Sequence, residues 1–167
     1  MTTLRLMAAL TVLVTTVSTL DAQALRPNAL LAGRESPATR KMAMAKTAIA
    51  RDPKHAQGYN DLALALTQRA RETADPVFYQ QAEDAVKTSL RLSPDNFEAL
   101  KVRAWALLGQ HQFAAALDLA TALNTRVPDD LMVYGMLTDA HIELGRYDDA
   151  EKAAQWMLDL RPGNIPA

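Results

Sequence analysis

Residues 134–162 read YGMLTDAHIELGRYDDAEKAAQWMLDLRP. Tyr134, Leu137 and His141 mark one helical run, Gly145-Arg146 interrupts it, and Tyr147 opens a second run that Leu160-Arg161-Pro162 closes. The same landmarks recur upstream at a constant distance. Pro94, Pro128 and Pro162 are each 34 residues apart, as are Phe113 and Tyr147, Ala116 and Ala150, and Leu100 and Tyr134. A fixed period of this size marks a stack of repeated helix–turn–helix units.

With Leu100, Ala104, Leu107, Phe113, Ala116 and Pro128 in one unit, and Tyr59, Leu62, Ala63, Leu66, Ala82, Val86 and Pro94 in another, the pattern resembles the tetratricopeptide repeat (TPR). The resemblance implies an all-α fold, a right-handed TPR superhelix of paired antiparallel helices. It divides the chain into a half-repeat helix at 37–53, repeats at 54–94, 95–128 and 129–162, and the start of a further repeat at 163–167. Pro53 and Pro94 are 41 residues apart, so the first repeat carries about seven extra residues, expected between its helices around Arg69 to Pro76. The family pattern is broken at Arg103, Thr138, Ala120 and Ala154.

The residue types suit close helix pairing. Ala63, Ala82, Ala104, Ala116 and Ala150 let backbones approach, and Leu62, Leu107, Leu137, Phe113 and Tyr147 are expected to fill the space between them. Each proline stands just past a helix, where its missing N–H costs nothing and continuation is blocked. Asp75-Pro76 looks like an N-cap with proline following. Ser93, Asp95 and Asp129 lie close to other helix starts. Seven helices are expected: Pro37–Arg51, His55–Glu72, Pro76–Leu92, Asn96–Leu108, Phe113–Asn124, Asp130–Leu144 and Tyr147–Asp159.

Residues 1–24, MTTLRLMAALTVLVTTVSTLDAQA, form a secretory address: Arg5, an uncharged run Leu6 to Leu20, and the cleavage pattern Ala22-Gln23-Ala24. The apolar run is short for a membrane span, and no cysteine follows it to carry a lipid. The expectation is cleavage after Ala24, a linker at 25–36, and an exported chain, periplasmic or extracellular, like the exported bacterial members of the family.

Composition excludes more than it assigns. With 18 basic and 19 acidic side chains the net charge is −1, which gives no general attraction to nucleic acid. The chain contains no cysteine, which removes disulfides, thiolate metal sites and thiol nucleophiles. His55, His111 and His141 are scattered without metal-ligand spacing, and no nucleophile elbow or phosphate loop occurs. Neither catalysis, nor a cofactor, nor a small-molecule substrate is expected.

In this family the first helices of successive repeats line a concave groove for a protein or peptide partner. The resemblance places Gln57, Asn60, Leu64 and Thr67 on the first wall. Glu98, Lys101, Trp105 and Leu108 form the second, and Met132, Gly135, Asp139 and Ile142 the third. Trp105 is the expected anchor, because tryptophan is enriched among binding hot spots. Leu64, Trp105 and Asp139 stand where a carboxylate clamp would need polar or basic groups, so a clamp for peptide carboxyl termini is not expected. The implied role is a protein-interaction scaffold of the cell envelope. The alternative is an accessory region of a larger enzyme or export machine. Trp156, Met157 and Leu160 on the last helix are expected to lack cover and to promote self-association.

Overall fold

The computed structural model describes residues 35–163; the expected leader with its Ala22 and Ala24 cleavage site, and residues 164–167, lie outside them. Among the described residues there are seven helices and no strand. They are α1 (Pro37–Arg51), α2 (Ala56–Thr73), α3 (Val77–Leu92), α4 (Phe97–Gly109), α5 (Phe113–Arg126), α6 (Leu131–Glu143) and α7 (Tyr147–Leu160). Consecutive helices pack together in pairs, and α4 also packs on α2 and on α6. The described residues thus form an all-α TPR solenoid whose first helices stack side by side.

Side-chain caps fix several helix starts. Ser36, Asn96 and Asp130 accept the N–H groups of Thr39, Ala99 and Val133. Asn96 and Asp130, expected as the first residues of their helices, are therefore the caps of α4 and α6. Asp75 accepts the Val77 N–H at 3.0 Å, just ahead of α3.

The seven extra residues do not form a loop. Helix α2 has 18 residues against 13 in α4 and α6, and α3 has 16 against 14 in α5 and α7. Five of the seven extend α2 and two extend α3. Gln68, Arg69, Ala70, Arg71 and Glu72 are all good helix formers, so the helix propagates to Ala74, which turns in the left-handed region at φ 54°.

Small residues make the contacts. Ala63, Ala82, Ala104, Ala116, Ala120 and Ala140 are fully buried, so a larger side chain there would push two helices apart. Leu66, Val86, Leu123, Val133 and Leu137 fill the remaining volume. Tyr147 does not fill interhelical space as expected; it is 68 % exposed at the start of α7. Arg103, out of place in the family pattern, pairs with Glu83 of α3 through two bonds of 3.1 and 2.8 Å. On α7, Trp156 and Leu160 are exposed as expected, whereas Met157 is buried and packs near Gly135.

Candidate binding groove

The first helices α2, α4 and α6 expose a common face, but three of the residues expected on it serve the scaffold instead. Asn60, Thr67 and Lys101 are buried, with 3 %, 0 % and 8 % of their surface accessible. A partner cannot reach them. Thr67 hydroxyl donates back to the Ala63 carbonyl within its own helix. Asn60 donates to Asn96 Oδ1 at 3.2 Å and accepts from Ser89 Oγ at 2.6 Å, while Asn96 Nδ2 donates to Ser89 Oγ at 3.0 Å. Burial of these amides and this hydroxyl is tolerated because they satisfy one another.

Lys101 performs the equivalent task one repeat later. Its ammonium donates to Asp130 at 2.8 Å and meets Glu98 at 3.0 Å. In both cases a polar side chain on one first helix grips the N-cap residue of the next. Burial pushes the Asp130 carboxyl up, but hydrogen bonds from Lys101 and the Val133 N–H, with the Lys101 charge, outweigh it and leave it below the ordinary carboxylate value. Burial likewise pushes Lys101 down, yet its bonds to Asp130 and Glu98 win and hold it above the ordinary lysine value. The corresponding position on α6 is Gly135, which has no side chain to make such a grip.

The remaining expected residues divide by repeat. Gln57 is exposed and donates to Asp61; Leu64 is half-buried against the first core cluster; Glu98 is exposed beside Lys101. Neither these three nor Asn60, Thr67 and Lys101 line the cleft formed at the other end of the first helices. Trp105, Leu108, Asp139 and Ile142 do line it: an open cleft of about 960 Å³ at the C-terminal ends of the first helices. Met132 and Gly135 line a neighbouring hollow of about 400 Å³, with Trp105 and Asp139 forming the wall between the two.

The first repeat enters the cleft through residues that the family pattern did not indicate. Ala70 and Arg71 come from the extended end of α2, and Tyr79 from α3. Arg71, Trp105 and Asp139 are spaced 34 residues apart, one on each first helix. Arg71 lies seven residues, about two turns, beyond Leu64, so it keeps the groove-facing side of α2. Its guanidinium stands over the Trp105 ring, 5.4 Å from the centroid. That spacing was the signal available in the sequence for Arg71. Tyr79 fits against Gly109 so closely that a Cβ there would overlap the phenol oxygen, which makes glycine a requirement of the cleft floor.

Trp105 is half-buried and packs on the core of repeats two and three, so it supports the scaffold while also lining the cleft. Ile142 is 47 % exposed and is the most accessible large apolar side chain on the cleft wall. Burial raises the Asp139 carboxyl above its ordinary value; Arg71 opposes this and Glu143 adds to it. His141 does not enter the cleft. It is half-buried on α6, and its Nδ1 has no hydrogen-bond partner. Among the described residues no cluster of histidine or acidic side chains has the arrangement of a metal site, and no helix is long and apolar enough to cross a membrane.

The family model described as Tetratricopeptide repeat matches residues 107–167. No curated protein matches the chain. Among solved structures, the thermophilic TPR protein TTC0263 of Thermus thermophilus is 20 % identical, with a TM-score of 0.65, covering 74 % of this chain and 66 % of its own. The structure described as "MamA RS-1 ArsTM double mutant" is 22 % identical, TM-score 0.56, covering 72 % of this chain and 64 % of its own. MamA 41-end from Desulfovibrio magneticus RS-1 is 21 % identical, TM-score 0.58, covering 81 % and 71 %. The chain spans slightly less than two thirds of the length of the first two. The family match begins inside α4 and omits the first repeat, where the inserted residues break the period. The chain therefore has the fold of a tetratricopeptide-repeat solenoid, and residues 107–167 carry the sequence signature of that repeat.

Proposed function

We propose that this protein is a non-catalytic scaffold of the bacterial cell envelope that holds a peptide or an extended segment of a partner protein in the cleft across α2, α4 and α6. The tetratricopeptide fold generally mediates protein–protein interaction, and its members are generally scaffolds without enzymatic activity. The observation that carries the proposal is the cleft itself. Its volume of about 960 Å³ is open to solvent and lined by residues of all three repeats, as an extended ligand requires. Trp105, Leu108 and Ile142 offer apolar area, and Arg71 and Asp139 offer charge at its edge.

Export rests on the leader sequence at residues 1–24. Mass spectrometry of exported material, finding Leu25 as the first residue, supports it; a retained Met1 contradicts it. Groove binding is tested with purified partner captured from envelope extract. Its affinity for the wild type should fall on Ile142→Ser and stay unchanged on Lys87→Ser, a change on the exposed side of α3. Equal affinity for both variants would remove the cleft from the binding surface.

A further inference from the structure

The cleft carries a charge arrangement that identifies the chemistry of its occupant. Asp139 and Glu143 lie four residues apart on α6 and line the same wall. Like charges at that helical spacing repel, a cost to the free protein. Among the described residues neither makes an ion pair within 4.0 Å: Lys101, Lys152 and Arg103 are each committed to acids elsewhere. Among the described residues Arg71 is the one cationic side chain lining this cleft, and its guanidinium stands over the Trp105 ring. His111, from the α4–α5 turn, is the remaining titratable side chain at the rim besides Tyr79. The wall thus presents two carboxylates to one guanidinium, between apolar surfaces from Trp105, Leu108 and Ile142.

We propose that the cleft takes a basic segment of a partner polypeptide, with a lysine or arginine set against Asp139 and Glu143 and its apolar neighbours against Trp105 and Ile142. The inference rests on the groove reading above and specifies the partner. A cation placed there relieves the repulsion between the two acids, so its charge is rewarded where an acidic residue would meet both of them. A bound segment would itself exclude water from Asp139, and charge interactions grow as solvent is excluded. The position of Arg71 on Trp105 shows within the molecule that the ring face accepts a cation. A partner that used Arg71 as its anchor would be acidic and would have to pull the guanidinium off the ring while facing Asp139 and Glu143.

The test is selection of a random-peptide display library on the full chain, followed by affinity measurement of the enriched peptides against variants. Enriched sequences should contain lysine or arginine flanked by apolar residues. Asp139→Asn with Glu143→Gln should weaken them about tenfold without lowering the melting temperature. Arg71→Ala should bind them no more weakly than the wild type. Trp105→Ala should abolish binding, and Ile142→Ser, on an exposed side chain, gives the same information if the tryptophan variant fails to fold. Acidic or uncharged peptides that need Ile142 but ignore the two acids would overturn the basic-partner inference and leave the groove reading standing. Absence of any peptide whose binding depends on Ile142 or Trp105 would overturn both.

Discussion

The ammonium of Lys101 on α4 donates a 2.8 Å hydrogen bond to Asp130, the residue whose other oxygen caps α6. One side chain thereby ties the second repeat to the first turn of the third. Asp130→Ala removes the cap and leaves Lys101 buried with only Glu98, and should cost about 3 kcal/mol. Lys101→Met leaves Asp130 still capping Val133 and should cost less, about 1–2 kcal/mol. Chemical denaturation of both variants checks the order; an Asp130→Ala cost no larger than that of Lys101→Met would contradict the combined cap and pair at Asp130.

The same pair sets a pH window. Asp130 is depressed in the folded state, so its stabilisation is complete above its ordinary value of 3.8 and is lost as pH falls through the lower folded value. Lys101 is raised, so its contribution is complete below 10.5 and is lost as pH rises through the higher folded value. Asp139 behaves oppositely to Asp130. Its raised carboxyl penalises the folded state once ionised, and the penalty lifts as pH falls through the raised value. Melting curves across the carboxylate range, roughly pH 3 to 6, should show Asp139→Asn gaining stability relative to wild type at the upper end only. A gain of equal size at both ends would mean that the carboxyl is not perturbed.

In the first repeat the grip is neutral. Asn60→Ala strands the buried Ser89 hydroxyl and part of the Asn96 amide, and should cost about 1–3 kcal/mol. Calorimetry measures it. A change below roughly 0.5 kcal/mol, the range of ordinary surface substitutions, would show that Asn60 is not held as described.

At the cleft floor, Gly109→Ala drives a methyl into the Tyr79 phenol. Alanine is the better helix former by up to about 1 kcal/mol, but overpacking costs about 1–3 kcal/mol, so net destabilisation is expected. Tyr79→Leu in the same chain should recover part of the loss. No recovery would locate the strain elsewhere.

Most of the fold was legible because punctuation and period agree. Pro53, Pro94, Pro128 and Pro162 fix the helix ends, and the bounds of α1 and the start of α7 fall where the sequence places them. The insertion was legible in length, and the expected helix running to Glu72 already held most of it, although the extra residues are expected between the helices. Its residues carry no turn signal until Asp75-Pro76, and they extend α2 instead of leaving it. The family resemblance, carried onto the repeats, put Trp105, Asp139 and Ile142 on the face where the cleft lies. It could not separate Asn60 and Lys101 from ligand-binding residues, because a polar side chain at that register serves a partner or the next helix cap equally well. Only the distances to Asn96 and Asp130 decide between them.

Groove binding is tested most directly by site-specific photocrosslinking in the native cell envelope. A photoreactive residue replacing Ile142 or Met132 on α6 should give a discrete adduct with a partner polypeptide, and the same residue at Lys87 on α3 or Asp118 on α5 should not. Adducts confined to α3 and α5, or equal at all four positions, would contradict a binding surface in the cleft.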